Sequence, residues 1–294
     1  MPAAAVLSAV LAVSACTGSG GDGGGNGGEG DGKGPQPVPA DKMDKASLPD
    51  TPADLAPFVQ ERMQEALTVE VGIELSPEAD QADPIKETVL DLRMSDPPAA
   101  TMQVVDTEAK PPTTTDIVVL DDVIYTKMPK GEALVEGKPW MRMSQPEVDK
   151  AKEELGPFAE IFTVILDETI SGIDEATGDS SLRLVQYGTL EGKPETAEEG
   201  GETLTTYKGS TKAQKLSDLG DETYSDLADQ GLESVDWSLT VSDKGLPTEL
   251  SASVLSPKGE KATSTVHYKD WGKKLDIAAP PKGEVGTLEE SLAE

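Results

Sequence analysis

One cysteine, one histidine, three phenylalanines and three tryptophans are all that the 294 residues hold of these types. A single cysteine excludes a disulfide framework, and no cysteine cluster or His-Glu-x-x-His pair is present to hold zinc. Any serine-type triad would have to be built on His267, and no Gly-x-Ser-x-Gly elbow occurs. On a strand, His267 alternates with Val266 and Tyr268 and is expected to face solvent. Basic residues are scarce as well, 25 against 55 acidic ones, for a formal net charge of −30. A field of that sign repels phosphate backbones and anionic headgroups, so nucleic acid is not an expected partner. Acid pairs such as Asp121-Asp122 and Glu153-Glu154 are too numerous to single out a general acid and base. There is no EF-hand pattern, and Met128, Met141 and Met143 have the spacing of strand packing, not of copper ligation. The expectation is a protein without enzymatic activity, cofactor or metal. Aromatics make up only 4% of the chain and apolar residues 36%, so its core must be mainly aliphatic.

Long apolar runs are also missing, with one short exception. Ala3 to Ala15 is apolar and uncharged, too short to span a bilayer but suited to the h-region of an export signal. It ends in Val13-Ser14-Ala15-Cys16, which resembles the bacterial lipobox. That resemblance implies removal of residues 1–15, a diacylglyceryl group on the Cys16 sulfur and a further acyl chain, such as palmitate, on its new amino terminus. The basic residues that normally precede such a run are absent, so a start codon further upstream is expected. Thr17 to Gly34 is mostly glycine and cannot bury enough apolar area to offset its chain entropy. Pro35 to Pro39 then stiffens the path. Residues 16–47 therefore read as a lipidated cysteine with a tether, and the destination is the outer face of the cell membrane.

The folded part is expected over 48–286, with 287–294 as a tail. Thr51-Pro52-Ala53-Asp54 is a helix start, and Leu55, Phe58, Val59, Met63, Ala66 and Leu67 recur at helical spacing. The period then changes to two in Thr68–Leu75, the mark of a half-buried strand. Further strands are predicted at Glu87–Met94, Ala100–Thr107, Asp116–Leu120, Val123–Met128 and Pro139–Met143, close enough together for antiparallel neighbours. Gln145–Leu155 reads as a helix. Gly156-Pro157 separates it from a more apolar one carrying Phe158, Ile161, Phe162, Ile165, Leu166 and Thr169, widened by Val164 and Ile170. A second meander is predicted to begin at Ser181–Tyr187, with an acidic loop at Glu191–Gly201 and a helix near Asp221–Gln230.

The remaining third carries a family resemblance. Thr205-Thr206-Tyr207-Lys208-Gly209, the hairpin Asp243-Lys244-Gly245-Leu246-Pro247, and Tyr268-Lys269-Asp270-Trp271-Gly272 followed by Ile277-Ala278-Ala279-Pro280 occur in this order. So do Tyr125–Pro129 and Gly137–Trp140 in the first half. Together, over Leu48 to Val285, they resemble the LppX/LprG-type lipoproteins of actinobacterial envelopes. The resemblance implies an α+β fold, an open antiparallel β half-barrel wrapped around a few helices as in the LolA/LolB carriers. It also implies a lipid or lipoglycan ligand between sheet and helices, with Leu275–Pro281 in a closing strand pair. The chain departs from the pattern in its negative charge and in longer acidic loops near Pro111–Thr115 and Glu191–Gly200.

Apolar strand faces and the central helix supply the residues that could line such a cleft: Val71, Ile73, Leu90, Leu92, Phe162, Ile165, Trp237 and Leu239. Ordinary core packing is the alternative for each. Two functions follow. In one, a monomeric, membrane-tethered lipoprotein carries an acyl-bearing ligand in the cleft. In the other, the same fold has a filled core and serves as a surface scaffold for a protein partner.

Overall fold

The computed structural model describes residues 36–76, 88–95, 97–106, 113–128, 133, 135–155, 160–219, 224–225, 228, 231–255 and 261–293. Helix α1 spans Pro52–Ala66. Thr51, in extended backbone, accepts the Asp54 N–H at 3.3 Å, and Pro52 fills the first turn, where no amide donor is needed. Leu55, Val59, Met63 and Ala66 form its buried stripe. The helix stops at Leu67, whose φ of 70° is a left-handed cap where glycine is usual. The chain then enters a sheet of thirteen strands among the described residues.

A first meander runs β1 (Thr68–Ser76), β2 (Thr88–Arg93), β3 (Ala99–Asp106), β4 (Thr113–Leu120), β5 (Val123–Lys127) and β6 (Trp140–Met143). Helices α2 (Gln145–Leu155), α3 (Glu160–Ala176) and α4 (Asp179–Gln186) follow. After them come β7 (Thr189–Leu190), β8 (Glu195–Glu199), β9 (Glu202–Lys212), the short α5 (Ala213–Ser217), β10 (Ser234–Ser242), β11 (Pro247–Leu255) and β12 (Lys261–Lys269). The described chain ends with β13 (Val285–Thr287) and α6 (Leu288–Ala293). The spatial order is β13-β6-β5-β4-β3-β2-β1-β12-β11-β10-β9-β7, with β8 also on β9. Every pairing is antiparallel except β13 on β6. The sheet does not close on itself. It is an open half-barrel, α+β, with two meanders joined where β1 pairs with β12.

Register explains which side is buried. Leu239, Leu250, Val266, Ile73 and then Tyr268, Val71, Leu90, Met102, Ile117 lie on one face and pack with α1, α3 and α4 into one core. Glu70, Asp91, Thr101 and Val118 are paired across the outer face. The β4–β5 turn uses Asp121 and Asp122, both left-handed at φ 53° and 56°, which matches the twist of a two-residue hairpin.

Ser181–Tyr187 is not a strand. Leu182-Arg183-Leu184 alternates like one, but Leu182, Leu184 and Val185 are all buried on α4, whose N-cap is Gly178 (φ 89°) and which packs on α1. Helical spacing lets three apolar residues share that buried side, whereas a strand would turn Val185 outward. The acidic loop at Glu191–Gly201 contains β8, which forms a ribbon with β9 and has all five residues exposed. Thr113–Thr115 likewise belongs to β4, not to a loop. Leu275–Pro281 is irregular and lies outside any strand. Its apolar residues Leu275 and Ile277 strap the outer face against Ala99, Val118, Leu120, Tyr125 and Trp140. Of Asp221–Gln230, only Tyr224, Ser225 and Ala228 are described; Gly156-Pro157, Pro129–Gly131 and Pro257–Glu260 lie outside the described residues.

The packed unit is longer at both ends than 48–286. Met43 is buried, Ala40 N–H donates to the Trp271 carbonyl (3.1 Å), and Ala46 N–H donates to that of Asp243 (2.8 Å). At the other end Leu288 is buried, and Lys138 and Lys150 pair with Glu290 and Glu289 of α6. Among the described residues no helix is long and apolar enough to cross a membrane.

Candidate functional site

The space between sheet and helices is built around β10. Trp237 lies on its inner face, and the backbone beneath the indole belongs to two glycines. A Cβ on Gly188 would come within 2.6 Å of Trp237 Nε1, and one on Gly209 within 2.5 Å of the ring. Indole Nε1–H donates to Thr211 Oγ1 at 3.0 Å, and that hydroxyl donates to the Leu184 carbonyl at 2.6 Å. The chain of bonds ties β10, β9 and α4 together. Further along, Tyr268 and Trp271 stack with ring centroids 5.7 Å apart, and Trp271 Nε1–H donates to the Pro247 carbonyl at 2.8 Å.

Of the residues singled out for the cleft, Val71, Leu90, Leu92, Trp237 and Leu239 are brought together as fully buried members of the core. Ile73 and Phe162 are partly buried against it. Ile165 stands apart, 42% exposed on α3 next to Val164 at 50%. The core-facing stripe of α3 is Phe162, Leu166, Ile170 and Ile173, so Val164 and Ile165 extend its apolar surface beyond what the core covers. Cys16 lies outside the described residues.

Burial holds the Tyr268 phenol neutral and pushes its pKa well above the ordinary 10.0. Below pH 10 the fold keeps this contribution in full. As the pH rises further, the unfolded chain loses its proton first, and stability falls by about 1.4 kcal/mol per pH unit until the folded-state value is reached. Urea titrations on either side of about pH 10 should therefore show a steep alkaline loss that Tyr268→Phe flattens; equal slopes in both proteins would refute the assignment.

His267 sits on the outer face between Glu74 (Nε2 to Oε1, 3.6 Å) and Glu249 (Nδ1 to Oε2, 3.6 Å), its side chain 30% exposed. It is less open to solvent than strand alternation implies, because a carboxylate from each neighbouring strand flanks it. No cluster of three or more metal-ligating side chains occurs among the described residues.

A groove of about 480 Å³ opens on the outer face over β1–β4 and β6, among residues that the sequence reading did not single out. Its walls include Glu70, Asp91, Asp116, Val89, Val118 and Trp140. At one end the Lys127 ammonium lies 5.6 Å from the Trp140 ring centroid and 3.1 Å from Asp116 Oδ2. A signal was present in the outward positions of β1, β2 and β4, where Glu70, Asp91 and Asp116 stand. Only the register shows that they converge.

No family model matches the chain, and no curated protein matches it significantly. Among solved structures, the chain is similar to the Mycobacterium tuberculosis lipoprotein LppX, at 12% identity and a TM-score of 0.43, over 77% of this chain and 98% of that one. It is similar to LprF from Mycobacterium bovis at 12% identity and a TM-score of 0.44, over 78% and 96%. A putative outer membrane lipoprotein-sorting protein domain from Vibrio parahaemolyticus aligns at 9% identity and a TM-score of 0.25, over 73% and 92%. The half-barrel assignment stands on this chain's own strand order.

Proposed function

We propose that the chain is an extracytoplasmic lipoprotein, held at the outer face of the cell membrane through Cys16, that shelters an acyl chain of a lipid ligand against α3. The observation that supports it is the surplus apolar surface of that helix: Leu166 and Ile173 are buried, while Val164 and Ile165 face outward. Each methylene moved from water onto such a surface contributes about 0.8 kcal/mol, so partial shelter is enough for useful binding. The lipobox-like Val13–Cys16 supports the anchor, and the glycine-rich run after it supports a tether.

A second reading, a tethered scaffold for a protein partner, is favoured by a different observation. Val71, Leu90, Leu92, Trp237 and Leu239 are closed into a filled core, as a protein without an internal lumen would have them. Native mass spectrometry with lipid extraction separates the two, on protein from Gln36 onward made in an actinobacterial host. The carrier should co-purify with lipid and take up fluorescent fatty acid, and Ile165→Glu should weaken uptake at least about tenfold while leaving the melting temperature unchanged. A lipid-free mass with no uptake would leave the scaffold.

A further inference from the structure

The outer groove is separated from the core by the thickness of the sheet, and its chemistry differs from that of the interior. We propose that it binds a linear aliphatic polyamine. Three features of the groove point to that class.

Like charges meet at one end. Glu70 and Asp91 are directly opposite across β1 and β2, an arrangement that costs stability unless a cation intervenes. Lys269, opposite Glu70 on β12, and Lys273, whose ammonium feels both Asp91 and Glu70, give partial compensation. Lys273 is committed mainly to Asp270, 3.3 Å away.

The other end already holds an ammonium. Lys127 rests between the Asp116 carboxylate and the Trp140 ring, so the groove's own residues display the seat that an alkylammonium takes, carboxylate on one side and indole face on the other. A ligand amine can share Asp116 and Trp140 with Lys127, or displace it.

Between the ends the floor is uncharged: Val89 of β2, 41% exposed, Thr101 and Gln103 of β3, and Val118 of β4, with Gln103 Nε2–H donating to Asp116 Oδ1 at 2.8 Å. Glu70 and Asp116 are three strands apart and offset along the sheet, roughly 15 Å, a span suited to an extended methylene chain with ammonium groups at its ends. Amino acids, nucleotides and fatty acids fail this pattern, because each would bring an anionic group to an acidic rim. The chain's net charge of −30 also enriches polyvalent cations at its surface.

The test is titration calorimetry of spermidine into the full chain at near-physiological salt, with magnesium chloride as a second titrant. The expected result is saturable one-to-one binding of spermidine that magnesium does not reproduce. The double variant Glu70→Gln/Asp91→Asn should weaken it at least about tenfold, since two charge-assisted contacts are lost. The triple variant Glu195→Gln/Glu198→Gln/Glu199→Gln, on the exposed β8 ribbon, removes more charge and should leave the affinity within about twofold. No saturable binding would overturn the proposal, and so would equal weakening in both variants or equal binding of magnesium, since each means counterion condensation on an acidic protein. Fatty-acid uptake should be the same in the Glu70/Asp91 variant as in the parent, so loss of the lipid function at α3 and loss of the groove are read separately.

Discussion

Trp237→Ala should lower the unfolding free energy by about 4 kcal/mol in urea denaturation, within the range for truncating a buried tryptophan. The indole is 3% exposed and its contacts come from three elements. Gly188 and Gly209 approach it so closely that neither has room for a methyl group. These backbones cannot collapse into the space left behind, because β9 is fixed by its pairing with β10, so most of the cavity would persist. Thr211 would keep its bond to the Leu184 carbonyl but lose its donor. Trp237→Phe retains most of the ring volume and should cost about 1–2 kcal/mol, largely the lost hydrogen bond. Gly209→Ala should be severe for the reciprocal reason, since the new Cβ would strike the Thr189 carbonyl oxygen as well as the ring; overpacking of this kind costs about 1–3 kcal/mol. The same measurement bears on function. If Trp237 were the wall of an open lumen, its truncation would enlarge an existing space and cost about 1 kcal/mol or less. A small loss for Trp237→Ala would therefore contradict the filled core and strengthen the carrier; a large one places any lipid against α3 and not beneath β10.

What the sequence makes legible here is what local periodicity encodes. Val69, Val71 and Ile73 alternate because one face of β1 is covered, and Thr51-Pro52 starts α1 because capping chemistry is local. The paired aspartates at 121 and 122 mark a hairpin on the same grounds. Misreadings arise where two periods fit the same few residues. Leu182-Arg183-Leu184 satisfies a strand, and only the buried Val185 and the packing of α4 on α1 decide for a helix. Leu275 and Ile277 alternate too, but they cover the outside of the sheet and have no strand to pair with. The groove is illegible for another reason: Glu70, Asp91 and Asp116 come from three strands, and nothing local sets Glu70 opposite Asp91. Nor can apolar alternation tell a cleft wall from a core, because Val71 and Leu92 would look the same in both.

Gly272→Ala should detach the N-terminal segment from the domain. Gly272 follows Trp271 at φ 73°, in the left-handed region, where alanine alone costs about 1–2 kcal/mol. The larger effect is steric: a Cβ there would fall on the Val38 carbonyl oxygen and 2.5 Å from the Pro39 Cα. Both are backbone, so no rotamer change relieves the clash, and the neighbouring Gly272 N–H is held by the Thr68 carbonyl at 2.8 Å. Something must leave, and the weaker partner is the segment ahead of α1. It is tied down by Ala40 N–H on Trp271, Ala46 N–H on Asp243, the Arg62 guanidinium on the Asp44 carbonyl and the Tyr207 hydroxyl on the Pro49 carbonyl. Lys42 and Lys45 lie within it, so trypsin reads its release directly. The variant should be cut there at least about tenfold faster than the parent, while the β-sheet circular dichroism persists. Unchanged cleavage would mean that Val38 and Pro39 do not rest on Gly272. Met43 of this segment is buried, and so is Trp271, whose carbonyl accepts from Ala40 N–H, so a protein begun at Leu48 should unfold at lower urea concentration than one begun at Gln36.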